Sequence, residues 1–304
     1  HLDILKTLAS YIGTVIDNAE LYNTLETKVK ERTEELVQKN NDITASINYA
    51  KRLQKGILPA KTFMQQLLPE SFVYFKPKDI VSGDFYWFEH INGVNYIAAA
   101  DCTGHGVPGA MLCVVCSNAL NRSVNEFGLI APNEILDNAR KIVIETLGKN
   151  RAVRDGMDIS LGALYKDKIV FSGANNPLWI SRKKDLLTDA ELEKRGTLIK
   201  DDLALIEFKG DKQPVGLYSV MKDFTQIEVP LHKGDRLYFF SDGFIDQFGG
   251  EKGKKFKSRP FKSLILETAN LTVEDQKEKL SDTFDTWKGQ IEQVDDVCVI
   301  GVNV

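Results

Sequence analysis

Five aspartates of this chain lie in short, turn-like contexts that follow or end runs of strand-forming residues. The contexts are Ser-Gly-Asp84, Asp101-Cys-Thr-Gly-His-Gly, Ser-Asp242-Gly, and the adjacent pair Asp295 and Asp296. Strand ends hold carboxylates rigidly, and neighbouring glycines let the backbone come close to an ion or a phosphate. Carboxylates gathered in one place repel one another unless a cation neutralises them, and an all-oxygen ligand set suits Mg²⁺ or Mn²⁺. The pattern therefore predicts a hydrolase with two metal ions.

The motif around Asp101 is the most specific of these. It follows the small apolar residues 97–100 and leads through glycines into a helix predicted from Gly109. We expect Asp101 to bridge two ions ~3.5–4 Å apart and the backbone carbonyl of Cys102 to ligate one of them, so that a water between the ions becomes a nucleophile. The alternative is an Asx-turn in which the glycines serve only the bend. Four such motifs in one chain favour the metal site.

Five more polar residues are candidates for supporting roles. His105 could be a general acid or a phosphate ligand, although a simple turn residue is the favoured interpretation. Asn175 and Asn176, in Ser-Gly-Ala-Asn-Asn-Pro, could hydrogen-bond a water or a phosphate near the metals, or only cap the turn before the proline. Asp155 and Asp158 are candidates for a third, weaker cation site, with solvent exposure as the alternative.

Composition excludes several classes of protein. An apolar content of 43% and a charged content of 27% are ordinary for a soluble domain, and the net charge of −4 argues against a nucleic-acid binder. No apolar run approaches the ~20 residues that span a bilayer, so we expect no direct membrane contact in this segment. Cys113-x-x-Cys116 admits a redox or zinc interpretation, but its apolar, helix-like surroundings favour core packing. The cysteine pattern fits a reducing cytoplasm, which is the predicted location.

Neither a nucleophilic-serine motif of Gly-x-Ser-x-Gly form nor a phosphate-binding loop of Gly-x-x-x-x-Gly-Lys form occurs in the sequence. A run of basic residues follows the Asp242 turn. Such a run is usually a solvated loop, and attraction of a phosphorylated, acidic partner is the alternative. Its members are Lys252, Lys254, Lys255, Lys257, Arg259 and Lys262.

From Phe72 onward, short strand-like runs alternate with turn signals, and helix-like stretches lie between them. Strands in hairpin order with helices bunched between them favour an α+β layered domain over a parallel wound sheet. Residues 183–212 are rich in charge and weak in periodicity, which predicts an insertion or a mobile flap. The predicted strands are Val73–Lys76, Tyr86–His90, Tyr96–Asp101, Ile159–Tyr165, Lys168–Ser172, Leu178–Arg182, Thr225–Val229, Arg236–Ser241 and Val297–Val302; the predicted helices are Gly109–Phe127, Pro132–Leu147, Phe261–Ala269 and Val273–Lys288.

Residues 1–57 are predicted to form one long helix. Sustained heptad spacing of apolar residues is typical of a coiled coil, and a parallel homodimer is favoured over a helix packed on its own domain. A companion seam is polar in its middle, at Glu26, Thr33 and Asn40, which weakens pairing while fixing register. The apolar seam is Leu8, Val15, Tyr22, Val29, Leu36, Ile43, Ala50 and Ile57.

The order of these motifs resembles the metal-dependent (PPM) serine/threonine phosphatases, and more narrowly their bacterial sporulation-phosphatase (SpoIIE) and stress-regulator branch. The resemblance covers about residues 46–304. Residues 1–45 resemble a GAF-type sensor helix running into a signalling coiled coil, with residues 1–20 as the end of an upstream sensor domain. The matching motifs are Ala50-x-x-Leu-Gln-x-x-Ile-Leu-Pro59, Ser-Gly-Asp84, Asp101-x-x-Gly-His-Gly, Ser-Gly-Ala-Asn-Asn-Pro177, Ser-Asp242-Gly and Asp295-Asp-x-Cys-Val-Ile300.

The resemblance implies an αββα sandwich, in residues 58–304, of two antiparallel sheets flanked by helices with the metals at one sheet edge. It implies Asp101 as the bridging ligand, Cys102 as a carbonyl ligand, and Asp84 as a direct or water-mediated ligand. It places Asp242 and Asp295 on the second ion and does not make Asp296 a ligand. Cys102 replaces the Gly or Val that is commoner in relatives, which is harmless if only its carbonyl is used. The phosphate-gripping arginine of the eukaryotic relatives has no obvious match here.

The resemblance further implies a cytoplasmic protein phosphatase that depends on Mn²⁺ or Mg²⁺, with two ions and a possible third. In that mechanism a metal-activated water attacks phosphoserine or phosphothreonine directly, and Asp101 and Asp84 are the residues expected to be catalytic. The implied substrate is a small phosphorylated regulator, such as an anti-sigma-factor antagonist. The rival hypothesis is a non-catalytic, phosphatase-like binding module on a signalling scaffold. A nuclease or phosphodiesterase is disfavoured by the acidic balance.

Overall fold

The computed structural model describes residues 1–148, 155–193 and 196–304. They form two compact units, His1–Ala50 and Lys51–Val304. The helices are α1 (Leu2–Ile57), α2 (Lys61–Leu67), α3 (Gly106–Asn125), α4 (Pro132–Leu147), α5 (Asp189–Glu193), α6 (Gly243–Asp246), α7 (Ser258–Thr268) and α8 (Val273–Lys288). The strands are β1 (Ser71–Lys76), β2 (Asp84–Ile91), β3 (Val94–Cys102), β4 (Gly156–Leu164), β5 (Lys168–Ala174), β6 (Leu178–Lys183), β7 (Leu198–Lys200), β8 (Leu203–Phe208), β9 (Val215–Gly216), β10 (Ile227–Pro230), β11 (Arg236–Phe240), β12 (Phe248–Gly249), β13 (Lys254–Lys255) and β14 (Val297–Asn303).

The first unit consists of helix α1 up to Ala50, and the predicted long helix is confirmed. Its apolar seam residues are exposed along the helix, at Leu8, Val15, Tyr22, Val29, Leu36 and Ile43. An exposed apolar stripe at heptad spacing is what a paired helix requires, and the pairing itself stays a prediction. Across the described residues, the search for a helix long and apolar enough to cross a membrane finds none.

The second unit contains two six-stranded antiparallel sheets, and the α+β sandwich predicted from the sequence is confirmed. In the first sheet the strand order is β1-β14-β11-β6-β8-β7. In the second it is β10-β5-β4-β3-β2, with β9 beside β4. A small third sheet pairs β12 with β13.

Three apolar layers hold the second unit together. Ile97, Phe239 and Ile300 belong to a buried cluster between the two large sheets. A second cluster joins the second sheet to α3 and α4, and a third joins the first sheet to α7 and α8. The order helix, sheet, sheet, helix follows, because each sheet buries one face against the other sheet and one face against helices.

Several local predictions can be compared with this fold. The nine predicted strands all correspond to strands, and Cys113 and Cys116 are fully buried in the apolar layer beneath α3, as expected for core packing. Of the insertion or mobile flap predicted for residues 183–212, the mobile flap is wrong for strands β7 and β8. These strands belong to the first sheet, because β8 pairs with β6 and β7 pairs with β8. Both strands are short, mostly apolar runs, and the charged residues of the segments beside them hide these runs in the sequence. Residues 194 and 195 of that segment lie outside the described residues.

Candidate metal centre

Three aspartates form a row across neighbouring strands of the second sheet. In the register of the sheet, Asp84 on β2 is paired with Asp101 on β3, and Asp101 is paired with Asp158 on β4. Directly opposed residues of antiparallel strands point to the same face. That face also carries Ile97 and Ala99, which belong to the layer between the two sheets. The row therefore closes one end of the inter-sheet core with carboxylates.

The first sheet contributes the remaining predicted carboxylates at the same end. Asp242 follows the end of β11, and Asp295 and Asp296 precede β14, which is the neighbour of β11. Gly243 makes this approach possible, because a Cβ there would lie 1.9 Å from the carbonyl oxygen of Asp296. The glycine beside Asp242 therefore allows the backbone of Asp296 to come close, and a larger residue at position 243 would displace it.

A serine joins the two sheets at this point. The Ser241 hydroxyl donates to Asp84 Oδ2 over 2.5 Å and accepts the backbone N–H of Cys298 at 3.0 Å. Ser241 lies at the end of β11, whereas Asp84 begins β2 in the other sheet. The hydroxyl therefore fixes the orientation of a buried carboxylate from across the sandwich. Ser241 belongs to the Ser-Asp242-Gly motif, but no local signal in the sequence indicates its contact with Asp84.

The loop after Asp101 packs tightly on the loop before Asp84. A Cβ on Gly83 would lie 2.4 Å from the carbonyl oxygen of Gly104, and one on Gly109 would lie 2.2 Å from the same atom. These positions admit only glycine without displacement of the backbone. The helix that follows begins at Gly106, three residues earlier than predicted.

Asp296 has a structural position. It is buried, and its two oxygens accept the backbone N–H groups of Lys78 and Gly83, each at 2.8 Å. Its own N–H donates to Asp295 Oδ1 at 2.9 Å. Both oxygens therefore hold the loop that precedes Asp84. That Asp296 is not a metal ligand stays a prediction.

Among residues 1–148, 155–193 and 196–304, the charges that act on the carboxylates at this end are mainly those of other aspartates. Burial first, and then the charges of neighbouring aspartates, of which Asp242 and Asp295 act most strongly, raise the pKa of Asp101 to about 8. Burial and the charges of neighbouring aspartates likewise raise the pKa of Asp242 to about 6, against a small lowering by Lys255. The pKa of Asp84 is raised well above its ordinary value, first by burial and then by the charge of Asp101. An excess of buried negative charge carried by oxygen donors fits a divalent cation such as Mg²⁺ or Mn²⁺.

The spacing of the side chains limits how such an ion would be held. Among the described residues, no three His, Cys, Asp or Glu side chains form a group that could hold a metal ion by themselves. Coordination would therefore have to combine carboxylates with backbone carbonyls and waters. The carbonyl ligand at Cys102 and the direct or water-mediated contact at Asp84 stay predictions, and Mg²⁺ commonly keeps several waters.

The other candidate residues are placed as follows. His105 does more than form a turn, since its Nδ1 lies 2.8 Å from Asp79 Oδ2 and its Nε2 lies 3.1 Å from Lys78 Nζ. Asn175 donates to Asp158 Oδ1 at 2.8 Å and has a left-handed backbone with a φ of 56°. The buried amide nitrogen of Asn176 has no hydrogen-bond partner among the described residues. Asp155 precedes β4 and lies outside the row of aspartates.

Comparison with known proteins agrees with this architecture. Residues 92–304 match the family model of the stage II sporulation protein E (SpoIIE), and the chain belongs to that family. The SiaA-PP2C domain of Pseudomonas aeruginosa superimposes with a TM-score of 0.74 at 29% identity, covering 87% of this chain and 98% of that domain. The fold is therefore that of a PP2C-type phosphatase domain.

Two more relatives extend the comparison. The phosphoserine phosphatase RsbU of Bacillus subtilis is 25% identical over 228 residues, which cover 74% of this chain and 60% of RsbU. The chain thus spans about 60% of the length of this curated relative. The PP2C phosphatase domain of SpoIIE from Bacillus subtilis, solved with a fragment of its regulatory domain, shares the fold with a TM-score of 0.55 at 19% identity. That match covers 77% of this chain and 62% of the solved chain.

Proposed function

We propose that this protein is a metal-dependent phosphatase that hydrolyses phosphoserine or phosphothreonine on a regulatory protein. The observation that carries the proposal is the meeting of five carboxylates at one end of the sandwich, with Asp84, Asp101 and Asp158 in one row and Asp242 and Asp295 opposite. Membership of the SpoIIE family and the likeness to a solved PP2C domain support it. The name of the related phosphoserine phosphatase RsbU supports the substrate class.

The residues proposed to hold two Mn²⁺ or Mg²⁺ ions are Asp84, Asp101, Asp242 and Asp295, together with the carbonyl of Cys102. Bound ions would neutralise the carboxylates, polarise the phosphoryl oxygens and lower the pKa of a water for in-line attack on phosphorus. Asp101 is proposed to bridge the two ions, and the Ser241 hydroxyl donates to Asp84. Asp158, held by Asn175, is the candidate for a third ion. Asp296 keeps the loop before Asp84 in place.

The proposal includes control by an N-terminal sensor through a dimeric coiled coil. The exposed apolar seam of α1 supports it, because an unpaired stripe of this length is costly in water. The proposed substrate is a small phosphorylated regulator of the anti-sigma-factor antagonist type, and the proposed location is the cytoplasm.

A direct test is phosphate release from a phosphoserine protein or peptide, with and without Mn²⁺, after removal of bound metal with a chelator. We expect turnover with Mn²⁺ and none without it. Turnover that survives chelation would reject the two-metal mechanism, and the absence of turnover with any divalent ion would reject the enzyme.

One observation favours a second candidate function, a phosphatase-like module that binds a phosphoprotein without cleaving it. No three carboxylate, histidine or cysteine side chains of the described residues converge enough to hold an ion alone. Saturable binding of a phosphopeptide without phosphate release, at any Mn²⁺ concentration, is the result that would identify the binding module.

A further inference from the structure

Residues 243–259, here called the basic lobe, carry positive charge in an acidic chain. They hold five basic residues and two acidic ones, which leaves a net charge of −7 on the rest of the protein. One pair is internal, since Lys255 Nζ lies 2.7 Å from Asp246 Oδ2. Four basic side chains of the lobe are exposed: Lys252, Lys254, Lys257 and Arg259. Among the described residues, 1–148, 155–193 and 196–304, none of the four has an ion-pair partner.

The basic lobe is built directly on Asp242. Helix α6 begins at the next residue, and the N–H of Asp246 donates to the carbonyl of Asp242 at 3.0 Å. The lobe then turns back through β12 and β13, and the N–H of Lys257 donates to the carbonyl of Ile245 at 2.7 Å. The exposed basic side chains therefore project from a segment whose backbone is fixed at the end of β11.

The same lobe is tied to the segment that leads into Asp295. Gln247 is fully buried, accepts the N–H of Val294 at 2.9 Å and donates to the carbonyl of Glu292 at 3.0 Å. Gly249 packs against the carbonyl of Trp287, where a Cβ would lie 1.9 Å from the oxygen. The backbone of the lobe is therefore bonded to both carboxylate segments of the first sheet, and its basic side chains project from a segment fixed beside the proposed metal centre.

We propose that the basic lobe is the docking surface for acidic residues that flank the phosphorylated serine or threonine of the protein substrate. The inference rests on the proposed phosphatase function and names the substrate class: a phosphoprotein segment with glutamates or aspartates beside the phosphate. The four unpaired cations are complementary to such a segment, and the acidic remainder of the chain repels it elsewhere. Complementary charges of this kind raise the association rate and give specificity.

The test compares two phosphoserine peptides that differ only in their flanking residues, which are Glu and Asp in one and Gln and Asn in the other. Affinity is measured in the Asp101→Asn background, and kcat/KM is measured in the active chain. The lobe variant is Lys252→Glu with Lys254→Glu. The matched control is Lys166→Glu with Lys233→Glu, two exposed lysines in turns at the opposite ends of the strands.

At low ionic strength we expect the acidic peptide to bind about tenfold more tightly than the neutral one, and the difference to shrink with added salt. The preference should disappear in the lobe variant and persist in the control. Equal affinity for both peptides, or a preference that survives in the lobe variant, would overturn the proposal. Equally strong displacement by an oligonucleotide or by anionic lipid vesicles would also overturn it, since the lobe would then be a general polyanion surface.

The outcomes separate this inference from the proposed function. A chain that prefers the acidic peptide in binding but releases no phosphate has the docking surface and lacks the activity. A chain that cleaves both peptides at equal kcat/KM has the activity and lacks the docking surface.

A separate observation concerns Gln54, the buried residue of helix α1. Its side chain is 7% exposed, and both ends of its amide bond to the backbone of Ser82: Nε2 donates to the carbonyl at 2.5 Å, and Oε1 accepts the N–H at 3.1 Å. The Ser82 hydroxyl in turn accepts the N–H of Asp84 at 3.0 Å. Gln54 and Asp296 thus both hold the turn from which the first carboxylate of the row projects.

We infer that Gln54 is a positioning residue for Asp84. Loss of a group that hydrogen-bonds directly to a metal ligand typically changes metal affinity about 10- to 100-fold. Gln54 acts one step further out, through Ser82, whose hydroxyl accepts the N–H of Asp84. Gln54 contributes no ligand itself, because its amide oxygen and nitrogen are both used by Ser82. We expect its effect to pass through the backbone of residues 82–84, which it bonds at Ser82.

The test compares Gln54→Leu with Gln276→Leu. Gln276 is also buried, and it bonds to the Tyr238 hydroxyl and the Leu271 carbonyl on the far side of the first sheet. Gln54→Leu should speed amide hydrogen exchange at residues 82–84 in the metal-free protein. In a titration, Mn²⁺ should bind to this variant at least about tenfold more weakly than to the wild type. Gln276→Leu should lower the melting temperature without either change.

Equal effects of the two variants on exchange and on Mn²⁺ affinity would reduce Gln54 to an ordinary core residue. If Gln54→Leu does not fold, Gln54→Asn is the variant to compare, because it keeps the amide and shortens its reach. Mn²⁺ affinity in Gln54→Asn equal to that of the wild type would contradict the inference.

Discussion

Two buried aspartates lie beside opposite ends of strand β11, and their hydrogen-bond partners differ greatly. Asp235, just before the strand, is 1% exposed and receives three hydrogen bonds from Arg182 at 2.6–3.1 Å and one from the N–H of His232 at 2.9 Å. Asp84, which contacts Ser241 just after the strand, is 2% exposed and receives one hydroxyl. The nearest charges that act on it are those of other aspartates.

The difference indicates which carboxylate is structural and which is functional. A buried charge is tolerated when it is paired and hydrogen-bonded, and Arg182 provides this for Asp235. Asp84 is equally buried, and the groups around it make its charged form unfavourable. Natural folds keep such unfavourable groups mainly at functional sites. One end of the sandwich therefore pairs its buried carboxylate with a guanidinium, whereas the other brings together carboxylates that raise one another's pKa.

The largest effect is expected at the carboxylate end. Asp101→Asn should lower the rate of phosphoserine hydrolysis by about a thousandfold or more, because the residue is proposed to hold both ions. Asp242→Asn should have nearly as large an effect. Both variants should fold, and the melting temperature of the metal-free protein should be unchanged or higher, since a repulsive charge is removed. Full activity of Asp101→Asn with Mn²⁺ present would exclude the mechanism.

The opposite result is expected at the other end. Asp235→Ala leaves the guanidinium of Arg182 buried without its main partner, which typically costs about 3–5 kcal/mol in free energy of unfolding. Turnover per folded molecule should stay close to that of the wild type. Urea unfolding of metal-free Asp235→Ala and Asp84→Asn measures the contrast directly. If both variants were destabilised equally, the division of the sandwich into a stabilising and a functional end would be wrong.

A smaller effect concerns pH in the metal-free protein. The pKa of Asp101 rises from 3.8 to about 8 and that of Asp242 from 3.8 to about 6 on folding, first because of burial and then because of neighbouring carboxylates. The folded state therefore binds more protons than the unfolded state between these values. The contribution of these groups to stability is complete below pH 3.8 and is lost as the pH rises through 6 and then 8.

The measurement is the free energy of unfolding of chelator-treated wild type and Asp101→Asn between pH 5 and pH 9. The difference, wild type minus variant, should decrease as the pH rises. A difference that stays constant over this range would show that Asp101 keeps its charge in the metal-free fold, and the excess of buried negative charge would then be smaller than inferred. Saturating Mn²⁺ should stabilise the wild type most at high pH, where the carboxylates are charged.

The same comparison shows what the sequence could and could not reveal. Asp101 and Asp242 were found because local signals, a strand end beside glycines, mark such positions. The pairing of Asp158 with Asp101 depends on the register between strands separated by two helices, and no local pattern determines it. The anchoring of Asp84 by Ser241 depends on the packing of one sheet on the other. Long-range contacts of this kind follow from the assembled core and cannot be derived from spacing alone.

The smallest effect is expected from the first unit, and it tests whether the carboxylate end responds to the helix that precedes it. Replacing Glu26, Thr33 and Asn40 by Ile or Leu gives the proposed dimer a continuous apolar seam, which favours one tightly held register. Since α1 extends to Ile57 and includes Gln54, a change in the paired helix reaches residues that position Asp84.

A displacement on the order of 1 Å at a catalytic centre can cost about 100-fold in rate, so even a small shift would be measurable. We expect turnover to change at least several-fold in either direction, with a matching change in Mn²⁺ dependence because binding and conformation are linked. Light scattering provides the control, since the triple variant and the wild type must both be dimers for the comparison to hold. A dimeric triple variant with the turnover and Mn²⁺ dependence of the wild type would make the coiled coil a passive tether. In that case the carboxylate end would be set by the sandwich alone.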